Sequence, residues 1–412
     1  MLAKLAVLLV TAPRSPISYP LYVGASFLIV DWKRASAKRW MLLLLLLSMA
    51  GISHLRAQGL GQVSTTAWAL ALIMMLPILL FLSGFRSRLT PDATRCTIRS
   101  ANLVVASYSV INLFIAGFPS AIPYINLSPD YLSALYGFGG ARILTVIGFA
   151  GILVELRGSS KGKRARRLSL AVAIGNFALP SYILGILAGL FVLILMGLRS
   201  PSRVAMVAML AVPSLWYAIT ERLPGNNSFI ETATGSSAKE LAYILPWRLF
   251  TSHPELIYLG TSPGQFSSTP QNWTSPGLRV LARQEAPAVP GLEQSSFATE
   301  IIEPINSLSL IDPFALSSSL NKPYTGVSTL WAEWGLVGLV AVVALFVLRA
   351  RSYRSVSPTA YAFLAFVAVI NMVDLWSDNL WLGWCVLVMT GLAGEQKTDS
   401  QHPHHGLEVE RL

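Results

Sequence analysis

Two stretches of this chain carry side chains able to do chemistry without a metal. The first runs Trp247-Arg248-Leu249-Phe250, then His253 and Glu255, into the turn Gly260-Thr261-Ser262-Pro263-Gly264-Gln265-Phe266. An arginine suits phosphate recognition because its planar fork meets two oxygens at once. Glycines in the following turn allow backbone amides to approach a ligand closely. The simpler reading is a helix end followed by a tight turn. The second stretch, Tyr324-Thr325-Gly326, leads into Glu333-Trp334-Gly335-Leu336-Val337-Gly338-Leu339. Glu333 falls at the edge of a long apolar run, where an ionisable group is costly and marks a functional site by default. Its simpler role is to stabilise a helix N-terminus through the helix dipole. Arg142 follows Gly139-Gly140 and sits at the end of its apolar run that is otherwise poor in basic residues; snorkelling to headgroups is the alternative there. Asp374 and Asp378 flank another turn and read as solvated loop residues.

Other chemistries have little to stand on. The chain contains no phosphate loop, HExxH or CxxC pattern. Of five histidines, three lie in the last eleven residues, so no metal centre and no cofactor are expected. Cys96 and Cys385 fall outside the long polar segment, which therefore has no disulfide framework.

The elements that must hold these residues are membrane spans. Hydrophobic residues make up 53% of the 412 and charged residues only 12%, about half the charge of a soluble domain. The deficit extends along the whole chain, which implies a helical bundle in lipid. Apolar runs fall near 2–12, 17–30, 40–54, 66–85, 100–118, 140–156, 168–180, 181–197, 203–219, 329–348, 358–374 and 381–394, which predicts about twelve transmembrane helices. The first run lacks a small-x-small cleavage site and is expected to be an uncleaved span. A net charge of +11 suggests nucleic acid, but the basic residues occupy short loops between apolar runs, so no nucleic-acid partner is expected. They follow every even-numbered run: Lys33, Arg34, Lys38 and Arg39; Arg86, Arg88, Arg95 and Arg99; Arg157 to Arg167; Arg199 and Arg203; Arg349, Arg351 and Arg354. The positive-inside rule then puts both termini in the cytoplasm. Residues 168–198 are too short for two full spans, which need about 40 residues. Two short helices meeting at Ala178-Leu179-Pro180-Ser181 are predicted there.

This gives an N-terminal transmembrane block over 1–219, an extracytoplasmic segment over 220–328, a C-terminal block over 329–394 and a disordered cytoplasmic tail over 395–412. The 220–328 segment is rich in Ser, Pro, Thr and Asn, with nine acidic residues against six basic ones. Its aromatics mark it as more than a linker, and long loops of this kind are usually functional. Ser237-Ala-Lys-Glu240 predicts a capped helix that Pro246 bends or stops. Ser296 to Glu303 predicts a second, ending at Pro304.

The two stretches, in this order and separated by a long outer loop, resemble the O-antigen ligase and O-antigen polymerase (Wzy-type) superfamily. Arg248, Gly260, Gly264 and Phe266 match the first part of the family pattern, and Glu333, Gly335, Leu336, Gly338 and Leu339 the second. The twelve-span topology and the short helix pair at 168–198 match as well. The resemblance covers most of the chain as topology but only about forty residues as motif. Where ligases carry a His-Asn pair ahead of the glutamate this chain has Tyr324-Thr325, which favours a polymerase. The arginine often found at the tip of the short-helix pair is missing; Pro180-Ser181-Tyr182 stands there. The resemblance implies a bacterial plasma (inner) membrane enzyme that polymerises undecaprenyl-diphosphate-linked oligosaccharide into surface polysaccharide, with a flippase and a chain-length regulator as partners. Under it, Arg248 stabilises the departing diphosphate, helped by Arg142, Arg279 or Arg283. Glu333, Tyr324 or His253 orients or deprotonates the acceptor hydroxyl, and Trp247, Gly260 and Gly264 line the substrate site. Ligase-type transfer to another acceptor is the alternative, as is a transporter or export-complex subunit. A transporter would call for paired ionisable groups at mid-membrane and visible repeat symmetry, which this sequence lacks.

Overall fold

A computed structural model of the protein describes residues 18–116, 140–157, 163–178, 183–195, 233–275, 289–311, 324–374 and 380–394. The described residues are mostly helical, and their one extended pairing is an isolated bridge between Val30 and Ser87. The long helices are α1 (Ser18–Ile29), α2 (Ala37–Gln58), α3 (Thr65–Leu82), α4 (Pro91–Ala116), α5 (Gly140–Arg157), α6 (Lys163–Ala178) and α7 (Ile183–Leu195). After them come α8 (Ala238–Ser252), the short α9 (Thr269–Thr274), α10 (Gly326–Arg354), α11 (Pro358–Val373) and α12 (Leu380–Met389).

Three of these, α2, α3 and α10, are long and apolar enough to cross a membrane. At 1.5 Å per residue, the 22 residues of α2 reach about 33 Å, enough for a hydrocarbon core of about 30 Å. Shorter apolar stretches lie at Ile143–Leu156, Leu184–Leu195, Pro358–Met372 and Leu382–Ala393. Large apolar side chains face outward from the bundle, among them Met41, Leu44 and Leu55 of α2, Ile194 of α7 and Leu348 of α10, all at least 60% exposed. The expected short pair at 168–198 is present as α6 and α7; its tip and the runs at 2–12 and 203–219 lie outside the described residues.

Small residues and buried amides fix how the helices meet. A Cβ on Gly148 of α5 would come within 2.5 Å of the Phe177 backbone nitrogen, so α5 and α6 touch backbone to backbone. Asn102 of α4 donates to the carbonyls of Ile98 and Ile147 at 3.0 and 2.9 Å, while Asn176 of α6 donates to Asn102 O and Oδ1. Interhelical amide bonds of this kind hold helices together where lipid offers no hydrophobic drive. Near the basic ends of the same helices, Arg99 forms a two-point pair with the buried Glu155, and Arg166 donates to the Glu155 carbonyl.

Beside the main core sits a second apolar cluster. It joins Leu245, Leu249 and Phe250 of α8 with Leu256, Phe266, Phe297, Ile302, Tyr324 and Ala332. The predicted cap on α8 forms: the Ser237 side chain accepts from Glu240 N at 3.3 Å. Pro246 does not stop the helix, which continues to Ser252; it is buried, so packing of the next turn outweighs the lost backbone bond. The second predicted helix also forms, and it runs through Pro304 rather than ending there: residues 296–306 are helical, with a π segment at Ala298–Ile302 just before the proline.

Candidate functional site

The two motifs, some seventy residues apart in the chain, meet at a break in α10. Gly335 has φ +65° and ψ −174°, a conformation open essentially to glycine alone, and it interrupts the helix. Backbone groups freed by the break pair with residues 257–262. Thr261 N donates to Ala332 O at 2.9 Å and Ser262 N to Glu333 O at 2.9 Å. On the other side of Gly335, Leu336 N donates to Ile257 O at 2.8 Å and Val337 N to Tyr258 O at 3.2 Å. Loop and helix thus form an antiparallel clasp.

Glycine is required at both crossing points. A Cβ on Gly335 would lie 2.4 Å from the Tyr258 carbonyl, and one on Gly260 would lie 2.4 Å from the Glu333 carbonyl oxygen. Gly264, also at positive φ, presses against the backbone of Ala67 at the start of α3.

Glu333 closes the clasp. Its carboxylate is 2% exposed and accepts three backbone N–H bonds, from Gly264 at 2.9 Å, Phe266 at 3.0 Å and Ser268 at 3.1 Å. The turn amides expected to meet a ligand are therefore turned toward Glu333. The simple dipole role at the head of its own helix is not what it does either, since its side chain reaches across to another segment. A buried carboxylate with three amide donors is well placed to hold the 264–268 turn and poorly placed to take a proton from a sugar hydroxyl.

Further bonds lock the turn to its surroundings. Gln265 makes a two-point clamp on the Ser64 backbone, with Oε1 accepting from Ser64 N at 2.9 Å and Nε2 donating to Ser64 O at 2.8 Å. Ser64 is also the cap of α3, its side chain accepting from Ala67 N. Ser267 and Thr329 share a hydroxyl bond of 2.6 Å, and Ser53 of α2 donates to Leu259 O at 2.6 Å. His54, stacked on Trp68 at 4.9 Å, lies 3.2 Å from the hydroxyl of Ser262, a non-glycine residue at φ +83°. Gln265 and His54 carry no mark in the sequence because their partners are remote in the chain and no local spacing singles them out, whereas Ser262 lies at the centre of the Gly260–Gly264 turn. Among the described residues, the ring N–H groups of Trp68, Trp331 and Trp334 and the Ser268 hydroxyl are buried without a hydrogen-bond partner around this clasp.

The remaining sequence candidates are placed as follows. Arg248 and Trp247 project from α8 into the open, and Arg248 makes no ion pair with any described residue. Helix α8 is seated on α10 through Phe250, whose ring is 5.3 Å from that of Trp331, with Trp247 6.3 Å from the same ring. His253, just past the end of α8, lies 3.1 Å from a Glu300 oxygen and 3.5 Å from Glu255, with its ring edge-on to Phe297. Tyr324 is 2% exposed and its hydroxyl donates to Asn306 Oδ1. Burial pushes its phenol well above the ordinary range, so it holds its proton at physiological pH. It is a packed structural phenol rather than an acceptor-facing one. Arg279, Arg283 and the side chain of Arg142 lie outside the described residues. No group of three or more His, Cys, Asp or Glu able to hold a metal occurs among the described residues.

No protein-family model matches the chain, and no curated protein matches it significantly. The site must be read from its own geometry.

Proposed function

We propose that this protein is a multi-pass membrane glycosyl-transferring enzyme that polymerises oligosaccharide carried on undecaprenyl diphosphate, working on the outer face of a bacterial plasma membrane. The observation that carries the reading is the pairing of the two motif halves. The Glu333 clasp fixes the 257–268 turn to α10, and α8, seated on the same helix, presents Arg248 in the open beside Trp247. That is the arrangement expected of a cation waiting for an anion at a membrane edge.

In this reading the acceptor hydroxyl attacks the anomeric carbon of the donor glycan. The new glycosidic bond forms as the bond to the lipid diphosphate breaks, and the acceptor proton leaves to a base. Negative charge grows on the departing diphosphate, and the Arg248 guanidinium stabilises it without a metal. Trp247 offers a ring face to the apolar side of a sugar. His253, partly exposed and held between Glu255 and Glu300, is the candidate left to receive the proton, because Glu333 and Tyr324 are both committed to internal bonds. Glu333 and Tyr324 are assigned to positioning.

The test is an assay of purified protein on lipid-linked oligosaccharide. A ladder of products supports a polymerase, and transfer to a different acceptor supports a ligase. Arg248→Ala should abolish the ladder with membrane insertion intact; polymer of near-normal length from that variant refutes the assignment.

A further inference from the structure

The opposite, basic end of the bundle holds three arginines that the clasp does not use. Arg349, in the last turns of α10, donates from Nε to the Leu82 carbonyl at the end of α3 at 3.0 Å. Its guanidinium fills the space where Gly84 has no side chain; a Cβ there would sit 2.5 Å from an Arg349 nitrogen. The Arg86 guanidinium carbon lies 5.4 Å from the ring centre of Tyr353, a cation–π contact. Arg39, in the first turn of α2, is brought to the same end: its neighbour Trp40 lies 5.2 Å, edge-on, from Phe85, which precedes Arg86, and its own guanidinium donates to the Arg34 carbonyl at 3.1 Å. Three like charges at one end of the bundle repel one another and favour an anion between them. None has a carboxylate partner among the described residues, and Asp31 is already taken by Arg34 at 3.3 Å.

The surroundings describe the missing anion. Beside the arginines, Trp32 stacks on Phe27 and Trp40 at 5.3 Å and leans on Phe85 at 5.1 Å. Aromatics of this kind mark the level of lipid headgroups. From the same end, exposed apolar side chains continue along both helices: Met41, Leu44 and Leu45 on α2, Val347 and Leu348 on α10. A soluble anion would use the arginines and leave these chains idle; an anionic lipid would use both.

We infer that Arg39, Arg86 and Arg349, gathered at this end of the bundle, form a binding site for the phosphate of an anionic phospholipid in the leaflet facing the basic loops, with its acyl chains against α2 and α10. Basic pockets between membrane helices on this side hold such headgroups. The inference requires only that the chain lies in a bilayer and is independent of the glycan chemistry.

The full-length protein, purified in a neutral detergent, would be offered equal amounts of dioleoyl phosphatidylglycerol and dioleoyl phosphatidylcholine, and retained lipid counted by native mass spectrometry. Wild type should retain phosphatidylglycerol selectively. Arg39→Gln and Arg86→Gln should each weaken that retention about fivefold, and the pair about thirtyfold. Arg351→Gln with Arg354→Gln, which removes two exposed charges from the same helix end, should leave it within about twofold. Three results would overturn the site: equal retention of both lipids by wild type, equal loss in the Arg351/Arg354 control, or displacement of the lipid by inorganic phosphate. The last would assign the arginines to a soluble anion. Comparing the two lipids on wild type needs no variant, so a poorly folding mutant cannot rescue the idea.

Discussion

Replacing Glu333 by glutamine separates a clamp from a catalyst. The carboxylate takes three backbone N–H bonds at 2.9–3.1 Å, two on Oε1 and one on Oε2. Glutamine can keep its carbonyl oxygen toward Phe266 and Ser268, but its NH2 group then faces the Gly264 N–H, donor against donor. Bonds to a charged acceptor contribute about 1.5–3 kcal/mol each, and a buried donor left unpaired costs about 1–3 kcal/mol. Glu333→Gln is therefore expected to destabilise the clasp by roughly 2–4 kcal/mol, and Glu333→Ala, which strands all three amides, by more. The assay is the thermal midpoint of detergent-solubilised protein by size-exclusion chromatography after heating, together with limited proteolysis across 257–268. Glu333→Gln should lower the midpoint by several degrees and open that segment to cleavage, while Arg248→Ala, at an exposed residue with no ion pair among the described residues, should do neither. If Glu333→Gln kept wild-type stability and resistance but lost activity, the glutamate would be acting on substrate and the positioning role would be refuted.

Three further outcomes follow from the same geometry. Gly335→Ala places a Cβ 2.4 Å from the Tyr258 carbonyl in a conformation that L-residues avoid, so yield of monodisperse protein should collapse. Gln265→Ala leaves Ser64 N and O without their partners and should cost about 1–3 kcal/mol, seen as a lower thermal midpoint, with the proposed transfer activity retained at low temperature. Tyr324 is held neutral by burial, its folded pKa above the ordinary value of 10.0, so above about pH 10 the unfolded chain binds fewer protons than the folded one and stability falls as pH rises. Tyr324→Phe should reduce that alkaline slope while costing about 1 kcal/mol at neutral pH through the lost bond to Asn306; an unchanged alkaline slope would refute its burial.

What was legible in the sequence was what local pattern controls. Apolar length and hydropathy locate α2, α3 and α10 to within a few residues, and Ser237-x-x-Glu240 marks the start of α8. The apolar run begins at 329, three residues after α10 starts, because Thr325 and Ser328 cap the helix reciprocally and a Thr-x-x-Ser pair is a weaker signal than one ending in Glu. Glu333, Gly260, Gly264 and Gly335 stood out by type and position. That they bind one another did not, since such pairing depends on tertiary contact across seventy residues. The same blindness hid Gln265 and His54, ordinary side chains whose partners on α3 and the turn have no fixed offset in the chain.

The break at Gly335 explains why the clasp has so many redundant ties. A helix interrupted near the edge of a bilayer exposes amides and carbonyls that lipid cannot satisfy, each costing several kcal/mol if left unpaired. Residues 257–262 satisfy them, so α10 needs the loop as much as the loop needs α10. The segment carrying the Gly-x-x-x-Gly turn is thus a repair of the helix, and it cannot swing away without reopening the break. Helix α8 lies next to this fixed turn in the chain and shares its apolar cluster through Leu249, Phe250 and Leu256. Arg248 is consequently presented from a rigid mount, while its own side chain is exposed and makes no ion pair with any described residue. In the proposed reaction, a cation that must meet a departing diphosphate would gain from that division, because the backbone is placed in advance and only the guanidinium has to settle on the anion.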